Sequence, residues 1–424
     1  MHIVIIGNGI TGTTAARTVR QLSGHEITVI SSESNFFFSR TALMYVYMGH
    51  MKFEHIKPYE DWFWEKNSIN LVHNRVDQID SERKQCILSN GEKISYDKLI
   101  IACGSKPNKF GWPGENLNGV QGLYSLQDLE SMEKNTSGIS NAVIVGGGLI
   151  GIEMAEMLHT RGIPVTMLVR EKNYWGSILP AEEAQLVNRE ISLHGIELHL
   201  QTQLKEILAE NNGKVSAVIT DKGERIPCDF VGLTAGVSPA IDWLKDSSIE
   251  LNRGILVNEY FETNITDVYA AGDCAEFRTP KPGQLNVEQL WYTGRKHGEI
   301  LGQILCGKRT AYDRGIWFNS AKFFNIEYQT YGTVPAKIPE DLDSLYWEHA
   351  NGKKSIRIVY QKDGNIVKGF NLFGIRYRQN ICESWIAEGK TLDYVLKHLQ
   401  EANFDPEFFR RYEREVRNQF AHYL

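Results

Sequence analysis

Cysteine is scarce and scattered. The six residues Cys86, Cys103, Cys228, Cys274, Cys306 and Cys382 form no CxxC or CxxxxC pair and no metal-ligand spacing. No metal site is expected from them. The pattern fits a reduced, cytoplasmic protein without structural disulfides. Positive charge is not in excess either. The formal net charge is -6, and nucleic-acid binders concentrate basic side chains on one face, so no nucleic-acid partner is expected. No apolar run approaches bilayer length, so no membrane span is expected. The apolar N-terminus has no basic n-region and breaks at Gly7 and Gly9, which is unlike a signal peptide. Low-complexity tracts and long polar linkers are absent, so the domains should be packed, not strung. A length of 424 residues suits two or three of them.

What the chain does have is one device used twice. "HIVIIGNGITG" (His2 to Gly12) reads as a buried strand, a glycine turn and a helix start, and "EITVI" supplies the next strand. Gly7 permits the tight turn, Gly9 lets the backbone approach a pyrophosphate, and Gly12 lets helix and strand pack closely. The helix N-terminus adds free N–H groups and positive potential. Glu33, past the second strand, could accept hydrogen bonds from a ribose. "AVIVGGGLIGIE" (Ala142 to Glu153) repeats the arrangement with Gly146, Gly148 and Gly151, followed by the helix "EMAEMLHTR" and the strand "PVTMLV". Two cradles argue for two dinucleotides. A flavin enzyme reduced by a nicotinamide cofactor is the common physical reason to bind both.

Two further segments invite a functional reading. In "TDVYAAGDCAE" (Thr266 to Glu276), Gly272 and Asp273 end a strand, where an aspartate can bind sugar hydroxyls or simply cap a helix. In "FFFSRTALMYV" (Phe36 to Val46), Arg40 either stacks on a planar ring or pairs with a phosphate, or lies over its phenylalanine neighbours at the surface. From Ile316 the texture changes to short aromatic strands such as "SIRIVYQ" and "NIVKGFNLFG". Turns at Asn351-Gly352 and Asp363-Gly364 suit hairpins, which predicts an antiparallel sheet backed by helices. Thr391 is placed to cap one helix. Asp405-Pro406 has the chemistry to start a last one, Arg410 to Tyr423, with Phe408, Tyr412, Val416 and Phe420 as its apolar stripe.

The order of these motifs resembles the FAD-dependent pyridine-nucleotide oxidoreductases of the glutathione-reductase structural class. GxGxxG is followed by "YDKLIIACG", similar to YDxLxxATG, then GGGxxGxE, "TAGVSP" (AxGxxP) and "TDVYAAGDCAE" (YAxGD). The resemblance runs from His2 to about Leu399. It is nearest to the branch without a redox disulfide, which contains NADH:rubredoxin reductases, dioxygenase ferredoxin reductases, monodehydroascorbate reductases and apoptosis-inducing factor. It implies two Rossmann-like domains plus a C-terminal α+β domain. The FAD domain would span 1–112 and 232–315, the NAD(P)H domain 113–231 and the C-terminal domain 316–424. It implies FAD on Gly7, Gly9, Gly12, Glu33, Ala102, Gly104, Gly272 and Asp273, with Arg40 near the flavin and Trp317 and Phe318 as aromatic contacts. NAD(P)H would lie on Gly146, Gly148 and Gly151, with Glu153 near the nicotinamide. A helix within "VEQLWYTGRKHGEILGQIL" would aim its N-terminus at the flavin. No side chain is singled out as catalytic, because the flavin carries the reaction: hydride from NAD(P)H to flavin, then electrons to an external acceptor.

Departures from the family matter. No cysteine follows the first βαβ unit, Met44, Tyr45 and Val46 stand where many members carry a lysine, and Phe318-Asn319-Ser320-Ala321 replaces the usual W-S-D segment. At the end of the strand after the second cradle, Val169 occupies the expected acid position. Arg170 could take a 2′-phosphate and Glu171 a 2′-hydroxyl, with NADH slightly favoured. The expected acceptor is a small, acidic carrier such as rubredoxin or ferredoxin. It would dock on Lys353, Lys354, Arg357, Lys362, Lys368, Arg376 and Arg378, residues that equally suit a solvated surface. The alternatives are a slow-turnover redox-sensing interaction protein and a reductase of a quinone, oxygen or a radical.

Overall fold

A computed structural model describes residues 1–424 other than 211, 212, 282, 405, 406, 408, 409 and 424. The chain divides into two compact units. The first comprises Met1–Phe110, Gln121–Ser137 and Gly236–Arg314; the second comprises Gly111–Val120, Gly138–Ala235 and Gly315–Leu424.

The first unit is built on a five-stranded sheet in the order Val268–Ala270, Lys98–Ile101, His2–Ile6, Glu26–Ser31, Ile69–His73. Every neighbouring pair in it is parallel. Its central strands are near-continuous Ile, Val and Leu because both faces are covered. Helix Ile10–Leu22 follows the first strand and packs along helix Trp291–Leu305. The second helix carries Gly294, Gly298 and Gly302 at four-residue spacing, which places them on one face. A Cβ on Gly298 would lie 2.3 Å from the Thr11 carbonyl oxygen, and one on Gly302 2.6 Å from the Thr18 Cβ. The glycines are there because the helices touch backbone to backbone. Gly298→Ala is therefore expected to destabilise the protein by roughly 2 kcal/mol, overpacking outweighing the helix propensity gained. A chemical melt that shows Gly298→Ala equal to or more stable than the parent contradicts this packing.

Besides a small three-stranded antiparallel sheet (Leu204–Ala209, Val215–Thr220, Arg225–Pro227), the second unit holds two larger sheets. In one, parallel strands lie in the order Glu197–Leu200, Val165–Val169, Ala142–Val145, Phe230–Leu233. Helix Leu149–Thr160 follows strand Ala142–Val145. The other is an antiparallel sheet in the order Phe318–Phe323, Ile326–Gly332, Val367–Phe373, Ser355–Gln361, Leu342–Glu348. The Asn351-Gly352 and Asp363-Gly364 dipeptides turn two of its hairpins, with both glycines in the left-handed region. Helices Gln379–Ala387, Leu392–His398 and Glu413–Gln419 contribute to the core of this sheet.

Three expectations change here. The last helix is shorter than predicted: it begins at Glu413, with Tyr412 at its N-cap. Tyr412, Val416 and Phe420 do pack into the core, while Asp405, Pro406 and Phe408 lie outside the described residues. Thr391 sits at an N-cap, but its hydroxyl donates to Asp393 (2.5 Å), not to the helix backbone. Arg357 does not belong to a basic surface. It is 4 % exposed and is bound by Glu183 and Glu182 of helix Ala181–Leu193. The sequence neighbourhood held few acids, but folding supplies them from elsewhere. Arg376 likewise pairs with Glu327, and Lys353 lies 3.6 Å from Glu190.

Candidate functional site: two glycine cradles

In the first cradle, Gly7 has φ +108°, and a Cβ there would sit 2.1 Å from the Ala102 carbonyl oxygen. A Cβ on Gly12 would sit 2.0 Å from the Gly7 oxygen. These glycines let the loop fold onto itself and onto the strand end at Ala102. Gly9 is different: nothing lies within 4 Å of its Cβ position. It is the N-cap of helix Ile10–Leu22, and no side chain caps that end. The cradle is thus walled where backbone must touch backbone and open where a phosphate would approach free N–H groups.

Around it the structure gathers Glu33, Arg40, Gly104, Gly272 and Asp273. Arg40 donates from both terminal nitrogens to the Glu33 carboxylate (2.7 and 2.6 Å) and to the Tyr124 carbonyl (2.6 Å). Glu33 also accepts the Leu126 N–H (2.9 Å). Burial opposes the Arg40 charge, but Glu33, Tyr124 and Asp273 outweigh it and stabilise the cation. Tyr124 was invisible from sequence and is the hub. Its ring lies under Arg40 at 4.5 Å, its hydroxyl donates to Asp273 (3.1 Å), and it accepts the Ser105 N–H (3.0 Å). A Cβ on Gly104 would be 2.8 Å from that hydroxyl. Burial raises the Asp273 carboxyl, and Tyr124, Ser105, Arg40 and His297 pull it partly back. Asn8 ties the loop to the second strand's exit through Ser34 (2.9 Å). The glycine spacing carries no hint of Asn8 or Tyr124, because their partners are distant in sequence.

The second cradle repeats the geometry. Gly146 has φ +129°, and its Cβ position is 2.6 Å from the Thr234 oxygen. Gly151 is closed by Gly146 and Thr234, each 2.9 Å away, and by the Tyr174 hydroxyl at 3.1 Å. Gly148 faces open space and is the uncapped N-cap of helix Leu149–Thr160. Tyr174, buried and also unforeseen, donates to the Gly148 carbonyl (2.5 Å) and braces the loop from below. Val169 is fully buried, so the usual acid position is closed. The Glu171 carboxylate instead lies 3.7 Å from the Cβ position of Gly147, with Arg170 bound to it at 2.8 Å. Trp317 and Phe318 belong to this second unit, where Phe318 stacks on Tyr331 at 5.2 Å.

Burial, and then Glu156, push the Glu153 carboxyl from 4.5 up to about 7. Between those two pH values the folded chain holds a proton that the unfolded chain releases, so stability falls as pH rises through that window. Glu153→Gln is expected to stabilise the protein by roughly 2–3 kcal/mol at a pH of about 8 and to change nothing below about 4.5. Thermal melts across pH check this; a variant equally displaced at all pH values sinks it.

Two open cradles, each at the carboxyl end of a parallel sheet, have the form of two dinucleotide sites. The chain belongs to the pyridine nucleotide-disulphide oxidoreductase family, which it matches over residues 1–298. Family members of the reductase type use FAD and NAD(P)H. The chain is 30% identical to the NADH-rubredoxin oxidoreductase of Clostridium acetobutylicum over 73% of this chain and 76% of that protein. The crystal structure of that NADH:rubredoxin oxidoreductase superposes with a TM-score of 0.72 over 94% of this chain and 99% of the other, at 26% identity. The nitrite reductase [NAD(P)H] of Bacillus subtilis is 28% identical over 88% of this chain but only 45% of its own length. The chain thus spans about half the length of that relative, and 49% of a nitrate reductase electron transfer subunit from the same organism. Among the described residues no helix is long and apolar enough to cross a membrane.

Proposed function

We propose that the chain is an FAD-dependent NAD(P)H oxidoreductase that passes electrons to an external carrier. The observation that carries this reading is the pair of cradles with clear space at Gly9 and Gly148 and tight backbone contacts at Gly7, Gly12, Gly146 and Gly151. FAD fits the first. Gly7, Gly9 and Gly12 would hold its pyrophosphate, the Glu33–Arg40–Tyr124–Asp273 network its sugar side, and Ala102 and Gly104 would close the loop. The domain would take 1–112 with 232–315, the nicotinamide domain would lie within 113–231, and 316–424 would form the C-terminal domain that carries Trp317 and Phe318. When bound, the flavin accepts a hydride from the nicotinamide and returns electrons to an acceptor. The chain's own work is to bind and orient. Helix N-termini supply N–H donors to phosphate, Tyr174 fixes Gly148, and Glu153 carries a proton at its carboxyl below about pH 7.

Glu171, turned toward Gly147, supports NADH over NADPH, since a carboxylate accepts from a 2′-hydroxyl and repels a 2′-phosphate. The rubredoxin-linked relative supports a small one-electron carrier as acceptor. If its docking is steered by Lys362, Lys368 and Arg378, its reduction rate falls with added salt. The deciding experiment is anaerobic stopped-flow reduction by NADH and NADPH, followed by a panel of carriers, quinones and oxygen. Fast bleaching by NADH and fast reoxidation by a carrier support the reading. Purified protein that holds no flavin and cannot be reconstituted with FAD overturns it.

A further inference from the structure

Behind the first cradle lies a buried polar cluster that the cradle itself does not explain. His297, on helix Trp291–Leu305, is 0 % exposed, and Glu288, just before that helix, is 1 % exposed. The Gly272 N–H donates to His297 Nδ1 at 3.1 Å. Nδ1 therefore carries a lone pair, and the ring proton belongs on Nε2. Nε2 faces the Glu288 Oε2 at 3.5 Å, a charge contact without a formed hydrogen bond. Glu288 is fixed in turn by the Tyr312 hydroxyl (2.6 Å) and by Arg314 (3.2 Å). Burial raises the Glu288 carboxyl, but His297, Tyr312 and Arg314 outweigh it and hold the group below its ordinary value. Phe261, Phe277 and Tyr312 enclose the imidazole at 5.0, 5.6 and 4.5 Å, so its orientation is set.

What this machinery holds is one backbone amide. Gly272 has φ +77° and is pressed against Thr11 of the first cradle's helix, with its Cβ position 2.4 Å from the Thr11 hydroxyl. The next residue is Asp273. We propose that His297, oriented by Glu288, is a positioning residue: it holds the Gly272 N–H and so fixes the turn that presents the Asp273 carboxylate to FAD. This rests on the reading that the first cradle binds FAD. Without an acceptor at Nδ1 the buried amide is left unpaired, and the turn gains freedom where the carboxylate must be still.

The test is FAD binding to the apo-protein, followed by fluorescence quenching, in the parent, His297→Leu, His297→Asn and Glu288→Gln. Asn places an acceptor close to the position of Nδ1, whereas Leu fills space without one. His297→Leu should bind FAD about tenfold more weakly, the size expected for one buried donor left unpaired, and His297→Asn should recover most of that loss. In Glu288→Gln the amide oxygen should turn to Arg314 and the amide NH2 to His297. That forces the opposite tautomer, a switch read directly as a ¹⁵N shift of the imidazole, and should weaken FAD by a similar factor. Leu and Asn variants that lose affinity equally overturn the proposal, as does a Leu variant that binds like the parent. If the Leu variant does not fold, Glu288→Gln decides: a switched tautomer with parental affinity overturns it. A parent protein that takes up no FAD removes the cradle assignment and this inference together; the other outcomes leave the cradle standing.

Discussion

Gly7→Ala is expected to yield a protein that cannot take up FAD and is itself destabilised by roughly 2–5 kcal/mol, the sum of a left-handed backbone and an unrelievable contact. Gly7 needs φ +108°, and the new Cβ would meet the Ala102 oxygen at 2.1 Å. That oxygen cannot retreat cheaply, because the Ala102 N–H is bonded to Ile6 (2.8 Å) within the parallel sheet. Gly9→Ala is the control. Its Cβ enters open space, so the chain should fold with parental stability and lose only cofactor affinity. The comparison needs thermal melts of the apo-proteins beside an FAD titration. Equal melting of the parent and Gly7→Ala, or unchanged FAD affinity in Gly9→Ala, would contradict the two roles assigned to the loop.

Arg357→Leu should cost about 3–5 kcal/mol, the range for removing one partner of a buried ion pair. The guanidinium donates to both oxygens of Glu183 (2.6 and 2.9 Å), to Glu182 (2.8 Å) and to Ser344 (2.7 Å). Glu183 is 0 % exposed and has no other cation among these contacts. Burial already raises its carboxyl, with Arg357 opposing that rise. With Arg357 gone, the Glu183 carboxyl should titrate higher still. The folded variant then binds a proton that the unfolded chain releases, so its loss of stability should shrink as pH falls. Replacing both residues by leucine should recover most of the loss, because two apolar side chains leave no charge stranded. Denaturant melts of the single and double variants at two pH values check this. A single variant within about 1 kcal/mol of the parent, as exposed pairs give, would show the pair to be wet. The pair joins helix Ala181–Leu193 to strand Ser355–Gln361, so it stitches the second nucleotide sheet to the antiparallel sheet within one unit.

The two cradles, their flanking strands and helices, and the antiparallel C-terminal sheet were legible from sequence. Each depends on chemistry that is local along the chain. A glycine turn must directly follow its strand, hydrophobic period marks a helix or strand over a few residues, and Asn-Gly and Asp-Gly close hairpins between neighbours. What the sequence could not determine is who meets whom across long separations. Arg357 read as a surface cation because few acids stand near it in the chain, yet Glu183 lies 174 residues away and encloses it. Glu33 and Arg40 read as two ligands for a cofactor and proved to bind each other, with Tyr124, 84 residues beyond Arg40, as the shared partner. His297, not singled out within its helix segment, accepts an amide at Gly272. Tertiary structure decided these points because the fate of a polar group depends on its desolvation and on which distant partner shares its buried site, and neither is written in local spacing.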